Sequence, residues 1–297
     1  MSNRDTFSSY HPAVNMLYFT AVLLLAMLLM QPVCQVISVV SAFAYSVYLN
    51  GGKAIRFSLA YMLPMLIMAA LINPAFNHQG GTILTYLPSG NPLTLESILY
   101  GISAALMIVT VITWFSCYNA VMTSDKFVYL FGRVIPALSL ILSMALRFVP
   151  RFNTQIKFVA HAQRCIGRDT SSGNIFQRVR KGIRIISIMV TWALENAIET
   201  ADSMKARGYG LPRRTAFSIY RFERRDLYAA VYIVVCAAAI IAGAVTGALY
   251  YRYFPTFRMA RDGGTIVASF IYAALSAMPM AINFREGRKW KLIAQRS

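Results

Sequence analysis

The chain has 297 residues, of which 57% are hydrophobic and only 13% are charged, and its formal net charge is +18. A soluble domain of this size would carry about 25% charged residues, so the composition excludes an ordinary soluble protein. The fold class expected is all-α: a polytopic membrane protein with about six transmembrane helices and a cytosolic domain of about three long amphipathic helices.

Long runs without Asp, Glu, Lys or Arg predict the membrane helices of the N-terminal part, residues 1–124. A helix needs about 20 apolar residues to cross a bilayer. The run 14–49 is too long for one pass and is expected to form two short ones, 14–31 and 33–49, that break near Gln31-Pro32. Further passes are expected near 57–73 and 97–118. The loop 74–96 lacks Lys and Arg and is therefore expected outside the cell.

A basic block follows, and residues 125–225 are expected to form a cytosolic coupling domain. Residues 147–225 hold 16 Lys and Arg against 5 Asp and Glu, and such an excess marks the cytoplasmic side of a membrane protein. We expect three amphipathic helices, at about 127–149, 150–167 and 174–207, with Pro150 bending the first junction.

The C-terminal part, residues 226–297, returns to apolar runs. It is expected to hold two more spans, near 227–250 and 264–283, and a basic tail. Six passes place both termini on the same side of the membrane. The charge bias of most loops makes that side the cytoplasm, although Arg252, Arg258 and Arg261 fall on the expected outer side.

Residues 202–212, with the sequence DSMKARGYGLP, predict a helix end that presents one arginine. Arg207 lies in the last turn, where a cation suits the helix dipole. Gly208 or Gly210 supplies the left-handed cap, and Pro212 stops the helix. The planar guanidinium of an exposed arginine forms paired hydrogen bonds with a carboxylate, and the arginine stays charged. This end, with Ala206 before the arginine, is therefore predicted to be a docking point for a soluble partner.

The preceding amphipathic helix is expected to end in a similar way. Its last residues run through Arg164, Cys165, Ile166, Gly167 and Arg168, so that arginines again flank a glycine that ends a helix. Two such ends suit a partner that is itself a pair, and a dimer of ATPases is such a partner.

These residues resemble a known family. The segment from Ala206 to Gly210, preceded by Asp-Ser-Met, resembles the second Ala-Arg-Gly signature of the transmembrane (T) component of energy-coupling factor transporters. Upstream, Arg-Phe-Val-Pro at 147–150 and Ala-Gln-Arg at 162–164 are also similar to that family. The first signature departs from the family pattern, because Ile166 stands where the family usually has arginine. Arg164 or Arg168 is expected to take over the contact, and we favour Arg164 because it lies inside the helix. In the alternative, both arginines are ordinary basic surface, and this end docks through apolar contact around Cys165 and Ile166.

The resemblance implies a coupling subunit in the plasma membrane of a bacterial-type cell. Such a subunit joins two cytosolic nucleotide-binding ATPases to a small membrane protein that binds a vitamin or a trace metal. The residues implied in ATPase contact are Ala206, Arg207, Gly208, Arg164, Cys165, Ile166, Gly167 and Arg168. The sequence has no phosphate-binding Gly-x-x-x-x-Gly-Lys loop, so ATP hydrolysis is expected on partner chains. No catalytic residue, cofactor or metal ion is expected here. Anionic lipid is a more suitable partner for the basic block than nucleic acid.

Two other classes remain open from the sequence. A conventional ABC permease or a secondary transporter subunit would carry polar or charged residues inside its spans, and these spans are nearly free of them. An integral-membrane lipid-modifying enzyme would need a carboxylate cluster or a Cys/His pair. The three histidines, His11, His78 and His161, lie far apart in the sequence.

Overall fold

The structure is a computed structural model that describes residues 5–86, 92–132, 135–169, 174–211, 220–260 and 262–294. The chain divides into two compact units. Residues 1–126 and 220–297 form one, which we call the membrane unit, and residues 127–219 form the other, the coupling unit.

Helices account for most of the described residues. In chain order they are α1 (Pro12–Leu28), α2 (Pro32–Asn50), α3 (Gly52–Phe57), α4 (Leu63–Phe76), α5 (Leu95–Val121), α6 (Ser124–Gly132), α7 (Pro136–Cys165), α8 (Ile175–Ala206), α9 (Arg224–Val245), α10 (Gly263–Ser276) and α11 (Met278–Ala294). A π-helical turn, Ser58–Met62, joins α3 to α4, and a 3-10 turn, Phe7–Ser9, precedes α1. The short strands β1 (Ile83–Tyr86), β2 (Pro92–Thr94), β3 (Tyr251–Arg252) and β4 (Arg258–Met259) form two antiparallel pairs, β1 with β2 and β3 with β4.

The predicted all-α, multi-pass architecture is confirmed. Four helical segments in the described part of the chain are long and apolar enough to cross a membrane: Pro32–Asn50, Gly52–Phe76, Leu95–Val121 and Arg224–Val245. A fifth span results if α10 and the start of α11, which are bent by 54°, count as one. The remaining expected span corresponds to α1. Its 17 residues extend about 26 Å, slightly less than the roughly 30 Å hydrocarbon core.

The core of the membrane unit is built around Trp114 of α5, which is fully buried. Its indole N–H donates to Ser38 Oγ of α2 at 3.0 Å. Tyr18 and Phe19 of α1 approach its ring edge-on at 6.0 and 6.4 Å, and Tyr45 of α2 lies at 6.4 Å. Aromatic pairs in such tilted arrangements add to the stabilisation that burial alone provides. This cluster therefore fixes α1, α2 and α5 relative to one another.

The two β pairs belong to loops that contact each other at one end of the membrane unit. Gly81 N–H donates to Pro255 O at 2.8 Å. The hydroxyl of Tyr253 donates to Met30 O at 2.6 Å and lies 2.7 Å from Ser103 Oγ. The loop 74–96, predicted to lie outside, is thus tied by hydrogen bonds to the loop that follows α9.

The N-terminal segment is bound to the rest of the membrane unit through Lys126, which is only 6% exposed. The Lys126 ammonium donates to Ser8 O at 2.6 Å, to Ser8 Oγ at 3.0 Å and to Val121 O at 2.9 Å. Asp5 accepts hydrogen bonds from Tyr45 and Asn283. Burial lowers the pKa of Lys126, and the Asp5 carboxylate opposes that shift. The segment therefore links α2, α6 and α11 where the membrane unit ends.

Replacing Lys126 by Met should lower the stability of the membrane unit. The change removes the donor of these hydrogen bonds and leaves two carbonyls without it, which costs about 1–3 kcal/mol. Thermal unfolding of the detergent-purified protein measures the effect. Lys53→Met is the matched control, because Lys53 is exposed and a surface change of this kind stays within about 0.5 kcal/mol. Equal melting temperatures for the two variants would contradict the structural role of Lys126.

The structure of the coupling unit differs from the sequence prediction at one helix boundary, the one expected at Pro150. The predicted break at Pro150 is wrong, because α7 runs from Pro136 to Cys165 with Pro150 inside it. A proline in a helix interior removes one backbone hydrogen bond, here to Leu146 O. The turns beside it pack through aromatic rings, since Phe148 contacts Phe152 and Phe152 contacts Trp192 of α8. The described residues of this unit therefore form two long helices, α7 and α8, instead of three.

Candidate functional site

The C-terminus of α8 is closed by a glycine in the left-handed conformation. Gly208 has φ +75°, its N–H donates to Lys205 O at 2.9 Å, and Tyr209 N–H donates to Met204 O at 2.9 Å. These two bonds define a Schellman motif, which ends a helix and satisfies its last carbonyls. Arg207 is the C-cap residue, directly before the glycine, and it is exposed. The predicted helix end is thus present, while Pro212 lies outside the described residues.

The C-terminus of α7 is closed by the same motif. Gly167 has φ +74°, its N–H donates to Arg164 O at 3.0 Å, and Arg168 N–H donates to Gln163 O at 2.9 Å. Ile166 is the C-cap residue. A side chain at either glycine would be strained, because only glycine adopts this φ readily. The sequence therefore specifies two helix ends with the same backbone geometry.

The shared motif gives a residue-by-residue correspondence between the two ends. Each position counted from the left-handed glycine in α7 has one partner in α8. The pairs are Arg164 with Lys205, Cys165 with Ala206, Ile166 with Arg207, and Arg168 with Tyr209. Ile166, and neither neighbouring arginine, occupies the position of Arg207.

The side chains at the α7 end are largely exposed. Ile166 is 61% exposed. Arg164 Nε lies 3.3 Å from Asp169 Oδ2, and Cys165 Sγ lies 3.6 Å from His161 Nδ1. Arg168 is also exposed. This end therefore presents one apolar side chain at its tip, with charged groups beside it.

The helices α7 and α8 run antiparallel and cross at an aromatic contact. Phe152 meets Trp192 edge-on at 5.2 Å, and the Arg151 guanidinium lies 5.6 Å from the centre of the Trp192 ring. Closer to the end of α7, Lys181 Nζ donates to Asp169 O at 2.9 Å. The crossing therefore has a cation–π contact and a ring contact on the same indole.

The antiparallel arrangement places the two candidate ends far apart. Each end lies about 20 Å of helix from the crossing, at a rise of about 1.5 Å per residue, and the two point in opposite directions. The separation is therefore at most about 40 Å, the value for two helices that lie along the same line. The two sets of predicted site residues therefore lie at the ends of different helices, on opposite sides of the crossing.

Comparison with known proteins decides the family. The sequence model of the CbiQ family, described as cobalt transport protein, matches residues 5–217, which is more than two thirds of the chain. The chain belongs to the CbiQ family. The resemblance to the transmembrane components of energy-coupling factor transporters, stated from the helix-end residues, is confirmed.

Individual relatives of this CbiQ-family chain carry the name energy-coupling factor transporter transmembrane protein EcfT. The protein from Lacticaseibacillus paracasei is 36% identical over 108 residues, which cover 36% of this chain and 41% of that protein. EcfT 1 from Listeria monocytogenes is 28% identical over 208 residues, or 66% of this chain and 74% of that protein. The protein from Bacillus selenitireducens is 26% identical over 202 residues, with 64% and 73% covered. The first of these alignments thus covers less than half of the relative.

Membership of the family also bears on the two alternative functions that the sequence left open. These three relatives of the CbiQ-family chain are named as transporter components, which disfavours a lipid-modifying enzyme and a conventional permease. Within the described residues, no group of three or more His, Cys, Asp or Glu side chains is placed to hold a metal ion.

Sequence reasoning missed two parts of the site. It did not identify the crossing of Phe152 and Trp192, although one of only three tryptophans lies in the basic block, where an aromatic side chain needs a packing partner. It also did not fix the correspondence of the two ends, which rests on hydrogen bonds that the sequence does not show.

Proposed function

We propose that this chain is the coupling subunit that joins two cytosolic nucleotide-binding ATPases to a small substrate-binding membrane protein for uptake of a vitamin or a trace metal. The observation that supports this most is the pair of matching helix ends on α7 and α8. Two docking points at the tips of two helices, on opposite sides of their crossing, suit two separate globular subunits better than one.

The ATPase contact is assigned to the tips of the helices. In α8, Arg207 projects just before the glycine, and Ala206 is small enough for close approach of a partner backbone. In α7, Cys165, Ile166 and Gly167 take the corresponding places, with Arg164 and Arg168 beside them. A helix end of this kind enters a groove, where the guanidinium of Arg207 pairs with a carboxylate.

The small membrane protein is assigned to the apolar face of α8. Large apolar side chains recur there at every third or fourth position, and each is more than half exposed. They are Ile175, Val179, Ile183, Ile186, Val190, Leu194 and Ile198. Positions three and four apart share one face of a helix. An apolar stripe of this length needs lipid or a hydrophobic partner to cover it.

The mechanism follows from these two assignments. Closure of the ATPases on ATP draws the two helix ends towards each other, and the crossing at Trp192 transmits the movement to the apolar face of α8. The substrate-binding protein then changes its orientation in the bilayer. Hydrolysis takes place on the ATPases, so this chain needs no cofactor of its own.

Purification of the tagged protein from its native membranes tests this function. We expect two ATPase subunits and one small hydrophobic protein to co-purify, and mass spectrometry identifies them. A solitary protein, or one that converts a lipid, would contradict the proposal.

Orientation in the membrane provides a further prediction. The basic block is expected in the cytoplasm and the loop 74–96 outside, with both termini cytoplasmic. A cysteine near Ser171, a position outside the described residues, and the exposed native Cys165 should both resist an impermeant thiol reagent in intact cells. In a Cys165→Ala background, Gln79→Cys should react at once, because Gln79 is exposed. The reverse labelling pattern would overturn the orientation.

A further inference from the structure

We propose that the membrane unit binds one anionic phospholipid, with an acyl chain in a groove between α2 and α10 and the phosphate beside Arg252 and Arg258. The site contains no residue of either candidate helix end, so it does not depend on the coupling function. The expected orientation places the loop after α9 outside the cell, so the lipid comes from the outer leaflet.

The groove is a cavity of about 610 Å³ between α2 and α10. That volume is in the range of pockets that hold small-molecule ligands. Apart from two hydroxyl side chains its lining is apolar, and it includes Val33 and Ile37 of α2, Met259 of β4, and Ile266, Phe270 and Ala273 of α10. Ile266 is 58% exposed and Phe270 is 72% exposed, so the groove is open along α10. A lining of this kind suits a hydrocarbon chain.

The groove is closed at one end and extends over one leaflet only. One turn beyond Ile37 and Ala273, the hydroxyl oxygens of Ser41 and Ser276 meet at 3.3 Å. Ser41 lies nine residues after Pro32, the first residue of α2, which is about 14 Å along the helix. That depth is close to half of the roughly 30 Å hydrocarbon core. A helix that crosses the membrane would run past the closed end, whereas an acyl chain of one leaflet ends there.

Two arginines lie opposite each other near the other end of the groove. Arg252 and Arg258 are paired across β3 and β4, and both are exposed. Like charges at directly opposite positions of a strand pair destabilise it. The ion pairs among the described residues involve other side chains. An anion between the two guanidiniums would relieve their repulsion, and a phosphate accepts paired hydrogen bonds from arginine.

The positive charge of this loop also runs against its expected place in the membrane. Arg252, Arg258 and Arg261 fall in a loop expected outside, with Asp262 as the acidic residue beside them. An excess of Lys and Arg is typical of cytoplasmic loops. Arg261 lies outside the described residues. Since the topology does not require these cations, we attribute them to a local anionic partner.

The strand pair joins the groove to the arginines. Met259 lines the groove, and Arg258 precedes it in β4. Successive residues of a strand point to opposite faces, so Met259 is on the face towards the groove and Arg258 is on the face towards water. The acyl chain then lies beneath the strand pair, and the long arginine side chains extend into the layer of headgroups. A lipid with a zwitterionic headgroup would fill the same groove but would gain less from the two cations.

Photo-crosslinking with two lipids tests the proposal. The full chain is placed in nanodiscs of phosphatidylcholine that contain a small fraction of phosphatidylglycerol with a diazirine halfway along one acyl chain. The matched probe is phosphatidylcholine with the same diazirine chain. Mass spectrometry measures the labelling of peptides that contain residues 33–37 and 266–273. We expect the phosphatidylglycerol probe to label them more strongly, by roughly fivefold for each arginine beside the phosphate. Equal labelling by the two probes, or no labelling of these peptides, would overturn the proposal.

Substitution of the arginines tests the headgroup contact. Arg252→Gln combined with Arg258→Gln should reduce labelling by the phosphatidylglycerol probe to the level of the phosphatidylcholine probe, and leave the latter unchanged. Arg56→Gln is the matched control, because Arg56 is also exposed but belongs to α3. It should keep the wild-type preference. A double variant that still prefers phosphatidylglycerol would show that the phosphate lies elsewhere.

Substitution within the groove tests the position of the acyl chain. Ala273→Phe fills the groove with a ring and should abolish labelling by both probes. Ala274→Phe introduces the same ring at an exposed position and should be labelled like the wild type. Gel filtration selects the folded fraction of each variant before labelling. If folded Ala273→Phe is labelled as strongly as Ala274→Phe, the acyl chain does not occupy the groove.

The occupant in native membranes is identified from Phe270, which is 72% exposed at the groove. Benzoylphenylalanine at this position forms an adduct with its neighbour when the cells are illuminated. The intact mass of the purified chain should then increase by the mass of an anionic phospholipid. An adduct with a zwitterionic lipid, with the small membrane protein or with a second copy of this chain would contradict the proposal.

Discussion

Replacing Arg207 by Ala should leave the protein in the membrane but separate it from the ATPase that docks at the end of α8. Loss of one partner of a buried charge pair at an interface costs about 2–5 kcal/mol. That corresponds to a loss of affinity of roughly 30-fold to 5,000-fold. We expect the co-purified ATPase and the ATP hydrolysis of the complex to fall together.

The helix end offers a control for this experiment. Lys205→Ala removes a cation two residues away, on the opposite side of the helix, and leaves Gly208 and its hydrogen bonds in place. It should retain most of the ATPase. Wild-type amounts of ATPase and wild-type hydrolysis in Arg207→Ala would refute the assignment of Arg207.

Replacing Trp192 by Ala should produce a different defect. The indole contacts Phe152 and Arg151 where α7 and α8 cross. Truncation of a fully buried aromatic residue costs about 3–5 kcal/mol. Trp192 is only partly buried, so we expect about 2 kcal/mol. Both helix ends remain intact, so the ATPases should still bind, but movement of one helix should no longer be passed to the other.

The phenotype expected is ATP hydrolysis without its effect on the small membrane protein. Measuring hydrolysis and the ATP-dependent release of that protein from the purified complex separates the two. Trp192→Phe keeps a ring against Phe152 and should retain coupling. If Trp192→Ala loses the ATPases instead, the crossing supports the helix ends and does not transmit motion between them.

The sequence alone was enough to predict the helices of the membrane unit and the end of α8. Runs without charged residues indicate the membrane spans, because placing a charged side chain in the bilayer costs free energy. The end at Arg207 was predictable because glycine is the residue that closes a helix in the left-handed conformation. The spans and this helix end each depend on residues that are close together in the sequence.

The parts that could not be predicted depend on contacts between distant residues. Pro150 was expected to bend the junction between two helices, but α7 is continuous through it and packs Phe152 against Trp192. Nothing in the sequence distinguishes the buried Lys126 from a surface lysine. Its hydrogen bond to Ser8 joins residues that are 118 positions apart. The correspondence of Ile166 with Arg207 follows from backbone hydrogen bonds, which only a structure reveals.

The distance between the two helix ends is the quantity that tests the coupling mechanism most directly. Spin labels on Cys165 and on Ala206→Cys, in the purified complex with its ATPases, report that distance by double electron–electron resonance. Without nucleotide we expect a value of at most about 40 Å, and binding of a non-hydrolysable ATP analogue should shorten it. An unchanged distance distribution, in a complex shown to contain both ATPases with bound nucleotide, would contradict the mechanism.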